Sequence, residues 1–215
     1  MITYRRFLLD QFLEEAVSLM SGVVLDVGGQ KVGKRGQFRP PLESVDSWVY
    51  LNSDPKTDPD HCCSAQNIPL ENGSIDTVVC CEVMEYLEAP EQVMLEIFRV
   101  LKPNGTALIT VPFLNPIHGD YWADRQRWTL LGHQELCHRS GFTKVNIQEM
   151  GSLGGVLWDL FHVSLGYGCQ NSQSIRNRVL RKLLHLSTPF FKWMDQYCSV
   201  QRKYITTGYF IELHK

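Results

Sequence analysis

Residues 23–33, with the sequence VVLDVGGQKVG, decide the fold of this chain. The consecutive apolar residues predict a strand that is covered on both faces, and the glycines that follow allow a sharp turn and a close approach to a bound molecule. Open α/β sheets bind ligands beyond the carboxyl ends of their strands, so Asp26 is expected to face such a ligand. The stretch therefore predicts a buried strand that ends at a binding site.

Three interpretations of this glycine loop compete. In the first, Asp26 orients the loop and the glycines admit a nucleotide-type cofactor. In the second, Gly28, Gly33 and Lys34 form a phosphate loop with the spacing G-x-x-x-x-G-K, although Arg35 stands where a Ser or Thr must hold magnesium. In the third, the strand is followed by an ordinary glycine turn. The choice depends on the rest of the sequence.

The composition indicates a globular protein with one core. The chain has 215 residues, of which 44% are hydrophobic and 20% are charged, and nothing demands more than one domain over residues 1–215. Its net charge of −2 argues against a general nucleic-acid binder, because such binding requires many phosphates to be neutralised. Local basic regions are compatible with this balance.

The sequence contains no apolar run of the roughly 18 residues that a membrane span requires. The apolar start at residues 7–9 is interrupted by Asp10, Glu14 and Glu15, which predicts an amphipathic helix and not a signal peptide. The seven cysteines form an odd set without C-x-x-C spacing, so neither a disulfide framework nor a metal site is indicated. Reduced thiols and a cytoplasmic location are the simplest expectation.

Apolar strands and amphipathic helices alternate along the chain. This alternation predicts right-handed crossovers and a mostly parallel sheet, with residues 31–43 too polar and proline-rich for a full crossover helix. The predicted helices cover residues 4–20, 90–101 and 129–140, and the strands after the first cover 48–51, 77–81, 106–111, 143–149 and 206–213. The turn at residues 102–105 is expected to separate the second helix from the strand that follows.

A helical insertion, which is also a candidate lid, is predicted over residues 150–204, with helices near 156–167 and 175–186. The second helix places apolar residues on one face and basic residues largely elsewhere. The apolar residues are Ile175, Val179, Leu183 and Leu186, and the basic ones are Arg176, Arg178, Arg181, Lys182 and His185. Such a helix makes peripheral contact with a membrane or binds an anionic substrate, or else it packs on the core with a solvated basic side.

Two further features indicate a ligand. Asp54 follows the second strand at about the distance typical of an acid that binds a ribose hydroxyl pair, although residues 52–55 are equally typical of a turn. The segment 116–129 is too polar for the core and too aromatic for a simple linker. Because it follows a strand, we expect it on the ligand side of the sheet.

Taken in order, five motifs resemble those of the class I S-adenosylmethionine-dependent methyltransferases. They are VLDVGG at 24–29, IPL at 68–70, SIDTVV at 74–79, EVMEYL at 82–87 and RVLKPNG at 99–105. The likeness covers roughly residues 20–150 and the last strand. The segment from Pro112 through His118 to Thr129 looks like that of small-molecule methyltransferases linked to sugar, polysaccharide or natural-product pathways.

The resemblance implies a Rossmann-like, doubly wound sheet of seven mostly parallel strands, one of them antiparallel, with helices on both faces. It also implies S-adenosylmethionine as cofactor at the carboxyl ends of the first strands. By the same resemblance Asp26, Gly28 and Gly29 line the methionine part, Asp54 holds the ribose, Ser64 and Ala65 border the adenine, and Cys81 and Glu82 face the cofactor's centre.

The function expected from the resemblance is methyl transfer to an oxygen or nitrogen of a small molecule. His118 is the first candidate for the base, because histidine titrates near neutrality, and Asp120 is expected to assist or replace it. Tyr121, Trp122 and Trp128 are expected to surround the acceptor.

Arg127 either binds an anionic substrate or pairs with Asp124. Gln30, Ser64 and Tyr86 stand where the family commonly has a glycine, an acid and a histidine. A catalytically silent scaffold or partner subunit is therefore the alternative function, and phosphate-loop nucleotide binding is the remote one.

Overall fold

A computed structural model describes residues 3–33, 36–117, 123–167, 175–199 and 204–215. Seven strands form one sheet in the order β3-β2-β1-β4-β5-β7-β6. The strands are β1 Val23–Val27, β2 Ser47–Asn52, β3 His61–Cys62, β4 Ile75–Cys81, β5 Leu101–Pro112, β6 Lys144–Met150 and β7 Gly208–His214. Strands β1 to β5 pair in parallel, whereas β7 runs antiparallel to both of its neighbours, so the predicted fold class is confirmed.

Strand β1 lies in the middle of this sheet and is buried on both faces, as its apolar run predicts. Leu25 and Val27 belong to the core on one face, and Val24 belongs to the core on the other. Because side chains alternate along a strand, Asp26 points to the same side as Val24.

Helices cover both faces of the sheet. They are α1 Tyr4–Glu15, α2 Pro90–Val100, α3 Leu130–Arg139, α4 Leu153–Tyr167 and α5 Ile175–Ser199. Helices α2 and α3 pack with Leu25 and Val27, whereas α1 and Trp158 of α4 pack with Val24. The side of β1 that carries Asp26 is thus covered by the amino-terminal helix.

The connection from β1 to β2 is irregular, as predicted. Its described residues form turns and bends, and the backbone amides of Lys31 and Val32 donate to the carbonyl oxygen of Thr57 at 3.1 and 3.4 Å. A phosphate loop needs a helix that begins at its last residues and directs its amino terminus at the phosphates. The described part of this connection contains no such helix, which removes the structural basis of the phosphate-loop interpretation.

Strand β5 is longer than predicted, because the expected turn at residues 102–105 is part of it. Its pairing with β4 shifts register between Ile75 and Thr77, and Asn104 adopts a positive φ of 67°. A Cβ on Gly105 would lie 2.9 Å from the carbonyl oxygen of Lys102. The motif therefore forms an irregularity inside a paired strand, and glycine is required where the backbone closes on itself.

The predicted insertion contains two helices, and both extend beyond their predicted bounds. Helix α5 continues past Leu186 to Ser199 and passes through Pro189. Helix α4 begins at Leu153, where the Asp195 carboxylate accepts hydrogen bonds from the backbone amides of Ser152 and Gly155 at 2.6 and 2.8 Å. A carboxylate at a helix amino terminus satisfies amides that have no partner inside the helix.

Candidate functional site

A cleft of about 520 Å³ opens at the carboxyl ends of β1, β2 and β4. Seven of the residues expected at a cofactor line it, namely Asp26, Gly28, Gly29, Ser64, Ala65, Cys81 and Glu82. Several residues without a predicted role also line it, including Arg6, Phe38, Tyr50, Asn52, Tyr86 and Leu87. The described lining residues all lie outside the 150–204 insertion that the sequence suggested as a lid.

The geometry of the glycine loop requires both glycines. Gly28 adopts a φ of 80°, and a Cβ there would lie 2.3 Å from a methyl group of Val83. A Cβ on Gly29 would lie 2.2 Å from the carboxyl carbon of Asp26. The Asp26 carboxylate also accepts a hydrogen bond from Nε1 of Trp48 at 3.1 Å. The loop therefore folds against an oriented carboxylate, which an ordinary glycine turn does not explain.

The structure places Asp54, the predicted ribose residue, outside the lining of the cleft. Strand β2 ends at Asn52, which lines the cleft, whereas Asp54 is exposed and does not. The Asp54 carboxylate instead accepts from the backbone amide of Lys56 at 3.0 Å and so begins a short 3-10 turn. The turn interpretation of residues 52–55 is therefore the correct one.

Asn52 also fastens the glycine loop. Its Nδ2 donates to the carbonyl oxygens of Gly28 and Gly29, both at 3.0 Å. A carboxylate cannot make these bonds, because it has no proton to donate. Asparagine at the end of β2 thus joins the two strand ends that form the floor of the cleft.

The amino-terminal helix contributes directly to this site, which the sequence did not reveal. Arg5 is only 2% exposed, and its guanidinium binds both carboxylate oxygens of Glu82, with Nε to Oε2 at 3.0 Å. Oγ1 of Thr110 donates to the same carboxylate at 3.1 Å. A Cβ on Gly208 would lie 2.2 Å from Arg5, so β7 leaves room for the arginine at the end of the sheet.

Cys81 lies in the cleft as a neutral thiol. Burial, and next the charge of Asp26, raise the pKa of Cys81 to about 12. A thiol acts as a nucleophile or metal ligand in its deprotonated form, and that form is negligible near neutrality at this pKa. In the described parts of the chain, no cluster of three or more His, Cys, Asp or Glu side chains is placed to hold a metal ion.

The predicted acceptor segment is attached to the rim of the cleft where it is described. Nε2 of Gln126 donates to the carbonyl oxygens of Met84 and Leu87 at 3.0 and 3.1 Å, and the amide of Arg125 donates to that of Glu85 at 2.9 Å. Residues 84–87 come soon after the end of β4 at Cys81, and Tyr86 and Leu87 among them line the cleft. The expectation that this segment lies on the ligand side of the sheet is thus met for its second half.

The candidate residues in this segment differ in what the structure says of them. His118, Asp120, Tyr121 and Trp122 lie outside the described residues. The Arg127 guanidinium binds the Asp124 carboxylate through both terminal nitrogens, with Nη2 to Oδ2 at 2.6 Å. Of the two roles considered for Arg127, the ion pair is therefore the one observed.

Trp128 lies beside a small internal cavity, which is also lined by Glu85, Gln126 and His133. The ring of His133 lies 5.6 Å from that of Trp128 and 5.4 Å from that of Tyr209. Burial lowers the pKa of His133 to about 4, so the imidazole is neutral near neutral pH.

We expect His133 to make the fold sensitive to acid. The imidazole of His133 has its ordinary pKa of 6.5 in the unfolded chain and a pKa of about 4 in the folded one. Between pH 6.5 and about pH 4, it is therefore protonated in the unfolded chain and neutral in the folded chain. Its contribution to stability is therefore complete above pH 6.5 and is lost as the pH falls towards about 4. On going from neutral pH to pH about 4.5, wild type should lose roughly 2–3 kcal/mol more unfolding free energy than His133→Phe. Urea denaturation at both pH values measures this difference, and an equal loss in His133→Phe would contradict it, with His138→Gln as the control.

The fold and the cleft define the chain as a Rossmann-like α/β protein with a nucleotide-type cofactor cleft at its strand ends. A family model described as a methyltransferase domain matches residues 45–109. An uncharacterized methyltransferase-like protein of Schizosaccharomyces pombe is 32% identical over 65% of this chain and 59% of its own length. The chloroplastic 2-methyl-6-phytyl-1,4-hydroquinone methyltransferase 1 of Oryza sativa subsp. japonica is 27% identical over 60% of this chain and 39% of its own length.

A solved structure of a SAM-dependent methyltransferase from Archaeoglobus fulgidus covers 98% of this chain and 94% of that one, with a TM-score of 0.57 at 14% identity. The chain thus spans less than two thirds of each of these two sequence relatives and nearly all of this structural neighbour. Residues 45–109 are thus similar to a methyltransferase domain, and the chain shares the fold of this SAM-dependent methyltransferase.

Proposed function

We propose that this protein transfers a methyl group from S-adenosylmethionine to an oxygen or nitrogen of a small molecule, and that residues 1–215 act as one methyltransferase domain. The observation that carries the proposal is the cleft at the ends of β1, β2 and β4, where the Asp26 carboxylate lies against a loop that requires glycine. When bound, S-adenosylmethionine supplies a methyl carbon activated by a positive sulfonium.

The charges of the cleft suit this cofactor. Asp26 and Glu82 place carboxylates along the lining, where they favour the cationic sulfonium and ammonium groups. Arg6 lines the same cleft and is the residue that we assign to the carboxylate of the methionine part. Because Arg5 neutralises Glu82, Asp26 is the acid that we assign to the ammonium.

For the rest of the cofactor, we assign the ribose hydroxyls to Asn52, in place of Asp54. The amide oxygen of Asn52 accepts from the backbone amide of Asp54 at 2.9 Å, and its second lone pair is the acceptor that we assign to a ribose hydroxyl. Ser64 and Ala65 line the cleft after β3 and border the adenine in this proposal.

The chemistry requires a positioned nucleophile and a group that removes its proton. We assign the proton to His118, with Asp120 as its assistant or replacement, and we assign the walls of the acceptor site to Tyr121, Trp122 and Trp128. The Asp124–Arg127 pair then holds the acceptor segment in shape and is not the ligand of an anionic substrate.

The acceptor class is supported by a relative. The Oryza sativa protein is named for a 2-methyl-6-phytyl-1,4-hydroquinone, a small organic molecule. The sugar or natural-product acceptors suggested by the sequence stay predictions of the same kind. The described cysteines are all free, in keeping with the reducing, cytoplasmic setting that we propose.

A catalytically silent scaffold is the second candidate. One observation favours it. Asn52 occupies the strand end where a ribose-binding acid is expected, and its Nδ2 donates to the glycine loop. The two functions are separated by incubation of the protein with S-adenosylmethionine and a pool of small metabolites. An acceptor that gains one methyl group, detected by mass spectrometry, supports the enzyme, whereas binding without any methylated product supports the scaffold.

Asn52→Ala should weaken the binding of S-adenosylhomocysteine about tenfold, because it removes the ribose partner and the bonds that hold the loop. Asp54→Ala, only two residues away, should leave the affinity unchanged. Asn52→Asp should also weaken binding, because its carboxylate would face two carbonyl oxygens. Titration calorimetry on the three variants measures these effects, and a larger loss in Asp54→Ala than in Asn52→Ala would restore Asp54 as the ribose residue.

A further inference from the structure

Helix α5 carries an apolar stripe that the described part of the protein leaves uncovered. The stripe consists of Val179, Leu183, Leu186, Phe190, Trp193 and Tyr197, each 52–70% exposed. These residues follow one another at alternating intervals of four and three, so they lie along one side of the helix. A soluble helix normally turns such a stripe to the core, whereas here it faces outward.

The opposite side of α5 is firmly attached, so the helix cannot bury the stripe by rotating. Asp195 accepts three hydrogen bonds from Ser152 and Gly155 at the start of α4. Oγ1 of Thr188 accepts one from Nε1 of Trp158 at 3.3 Å. A Cβ on Gly154 would lie 2.4 Å from the backbone nitrogen of Asp195, so the two helices touch backbone to backbone.

Aromatic contacts connect the stripe to α4. Phe190 of the stripe lies 5.5 Å from Phe191, measured between ring centroids, and Phe191 lies 6.1 Å from the exposed Phe161 of α4. Within the stripe, Trp193 and Tyr197 stack with ring centroids 5.8 Å apart. Exposed Phe7 of α1 lies under Nζ of Lys192, which is 4.2 Å from its ring centroid. Large contiguous apolar patches on a protein surface mark sites of interaction with a partner or a membrane.

The charge of α5 indicates what kind of surface binds the stripe. Residues 175–199 contain five arginines and lysines and one acid, in a chain whose net charge is −2. The single acid is Asp195, which is buried and hydrogen-bonded, and the basic Lys182 is exposed beside the stripe. The sequence of this helix is thus strongly basic, and its complement is an anionic surface.

We propose that α5 lies in the surface of a lipid bilayer that contains anionic lipids. The stripe enters the boundary between head groups and acyl chains, and the basic residues pair with the lipid head groups. Trp193 and Tyr197 supply the aromatic rings that favour this boundary. In the described residues, no helix is long and apolar enough to cross a membrane, so the contact is peripheral.

The same spacing is found at the seam between two coiled helices, but the charges disfavour that occupant. A second copy would bring the basic residues of two α5 helices together, where like charges repel. Pro189 within the stripe also interrupts the hydrogen bonding that a long, regular helix pair requires. An anionic bilayer attracts the basic residues and does not require a long, regular helix.

Flotation of the full chain with vesicles tests this proposal. Wild type should float with vesicles of phosphatidylcholine and phosphatidylglycerol, less with phosphatidylcholine alone, and less again at high salt. Leu183→Ser with Trp193→Ser should lower the partition into anionic vesicles about tenfold or more. Leu131→Ser, which alters an exposed leucine of α3, is the matched control and should float as wild type does.

A second measurement keeps the test independent of folding and of catalysis. Acyl chains that carry bromine should quench the fluorescence of wild type, and Trp193→Phe should lose part of that quenching while it still binds. All variants should bind S-adenosylhomocysteine as wild type does, so failure here and failure of the proposed function are distinguishable. Equal flotation of the stripe variant and wild type would overturn the proposal. It would also be overturned if wild type formed a dimer that does not bind vesicles and if the stripe substitutions dissociated that dimer.

Discussion

Glu82→Gln is expected to lower the unfolding free energy by about 3 kcal/mol or more. The change leaves the Arg5 guanidinium buried at the end of the sheet without the carboxylate that neutralises it. It also weakens the bond from Thr110, which now donates to the same carboxylate. Urea denaturation at neutral pH measures the loss.

The matched control is Glu88→Gln, which breaks the exposed ion pair with Arg125 and should cost well under about 1 kcal/mol. Combining Glu82→Gln with Arg5→Met should recover part of the loss, because the buried charge is then removed together with its partner. An equal cost for Glu82→Gln and Glu88→Gln would show that the buried pair does not stabilise the fold.

The second large effect is expected from Asp26→Ala, which should weaken the binding of S-adenosylhomocysteine by about 100-fold or more. The substitution removes the carboxylate assigned to the cofactor's ammonium group. It also removes the group against which Gly29 packs and to which Trp48 donates, so the loop loses its support. Calorimetry on the purified variant measures the affinity.

Asp76→Ala is the control for this result. Asp76 lies near the amino end of β4, whereas the cleft lies at the carboxyl ends of the strands. Its carboxylate binds Nζ of Lys102 and accepts from the backbone amide of Val23. Its loss should lower stability without changing the affinity for the cofactor product. Undiminished binding by Asp26→Ala would contradict the role given to the glycine loop.

Much of the fold could be predicted from the sequence, because its strands are short apolar runs separated by turn residues. Strand β1 was predicted over its whole length, and the alternation of strands and helices correctly indicated a mostly parallel sheet. Burial on both faces produces this strong signal, since every residue of such a strand is selected for an apolar environment.

Which polar residue near the end of β2 lines the cleft could not be predicted from the sequence. The sequence predicted a strand that ends at Leu51 and allowed Asp54 to be either an acid that faces the ligand or part of a turn at residues 52–55. In the structure the strand ends at Asn52, and the Asp54 side chain satisfies the turn. A short polar side chain serves a turn or a ligand equally well, and only the backbone decides between them.

The role of Arg5 could not be predicted for a different reason, because its partner Glu82 is 77 residues away in the chain. A signal was nevertheless present, because Arg5 lies three and four residues before Leu8 and Leu9, on the apolar side of the helix. An arginine at such a position is buried only with a partner, so it indicates an ion pair without naming the acid. For α5 the apolar spacing was compatible with a core face and with a membrane face, and the structure leaves this face exposed.

Helix α1 connects the cleft to the helices α4 and α5. Arg5 and Arg6 are adjacent in the helix, and the first holds Glu82 at the end of β4 while the second lines the cleft. The Asp159 carboxylate of α4 accepts from the amides of Tyr4 and Arg5 at 2.7 and 3.0 Å, so α4 holds the start of α1. The cofactor cleft is therefore linked through α1 to the helices that carry the exposed stripe.

Calorimetric titration of the purified wild-type chain with S-adenosylhomocysteine tests the central claim most directly. A single binding site with an affinity in the micromolar range, about −8 kcal/mol, is the predicted result. The site should lose affinity in Asp26→Ala and Asn52→Ala and keep it in Asp54→Ala. The absence of binding by a folded wild-type protein would contradict the proposal that this cleft holds S-adenosylmethionine.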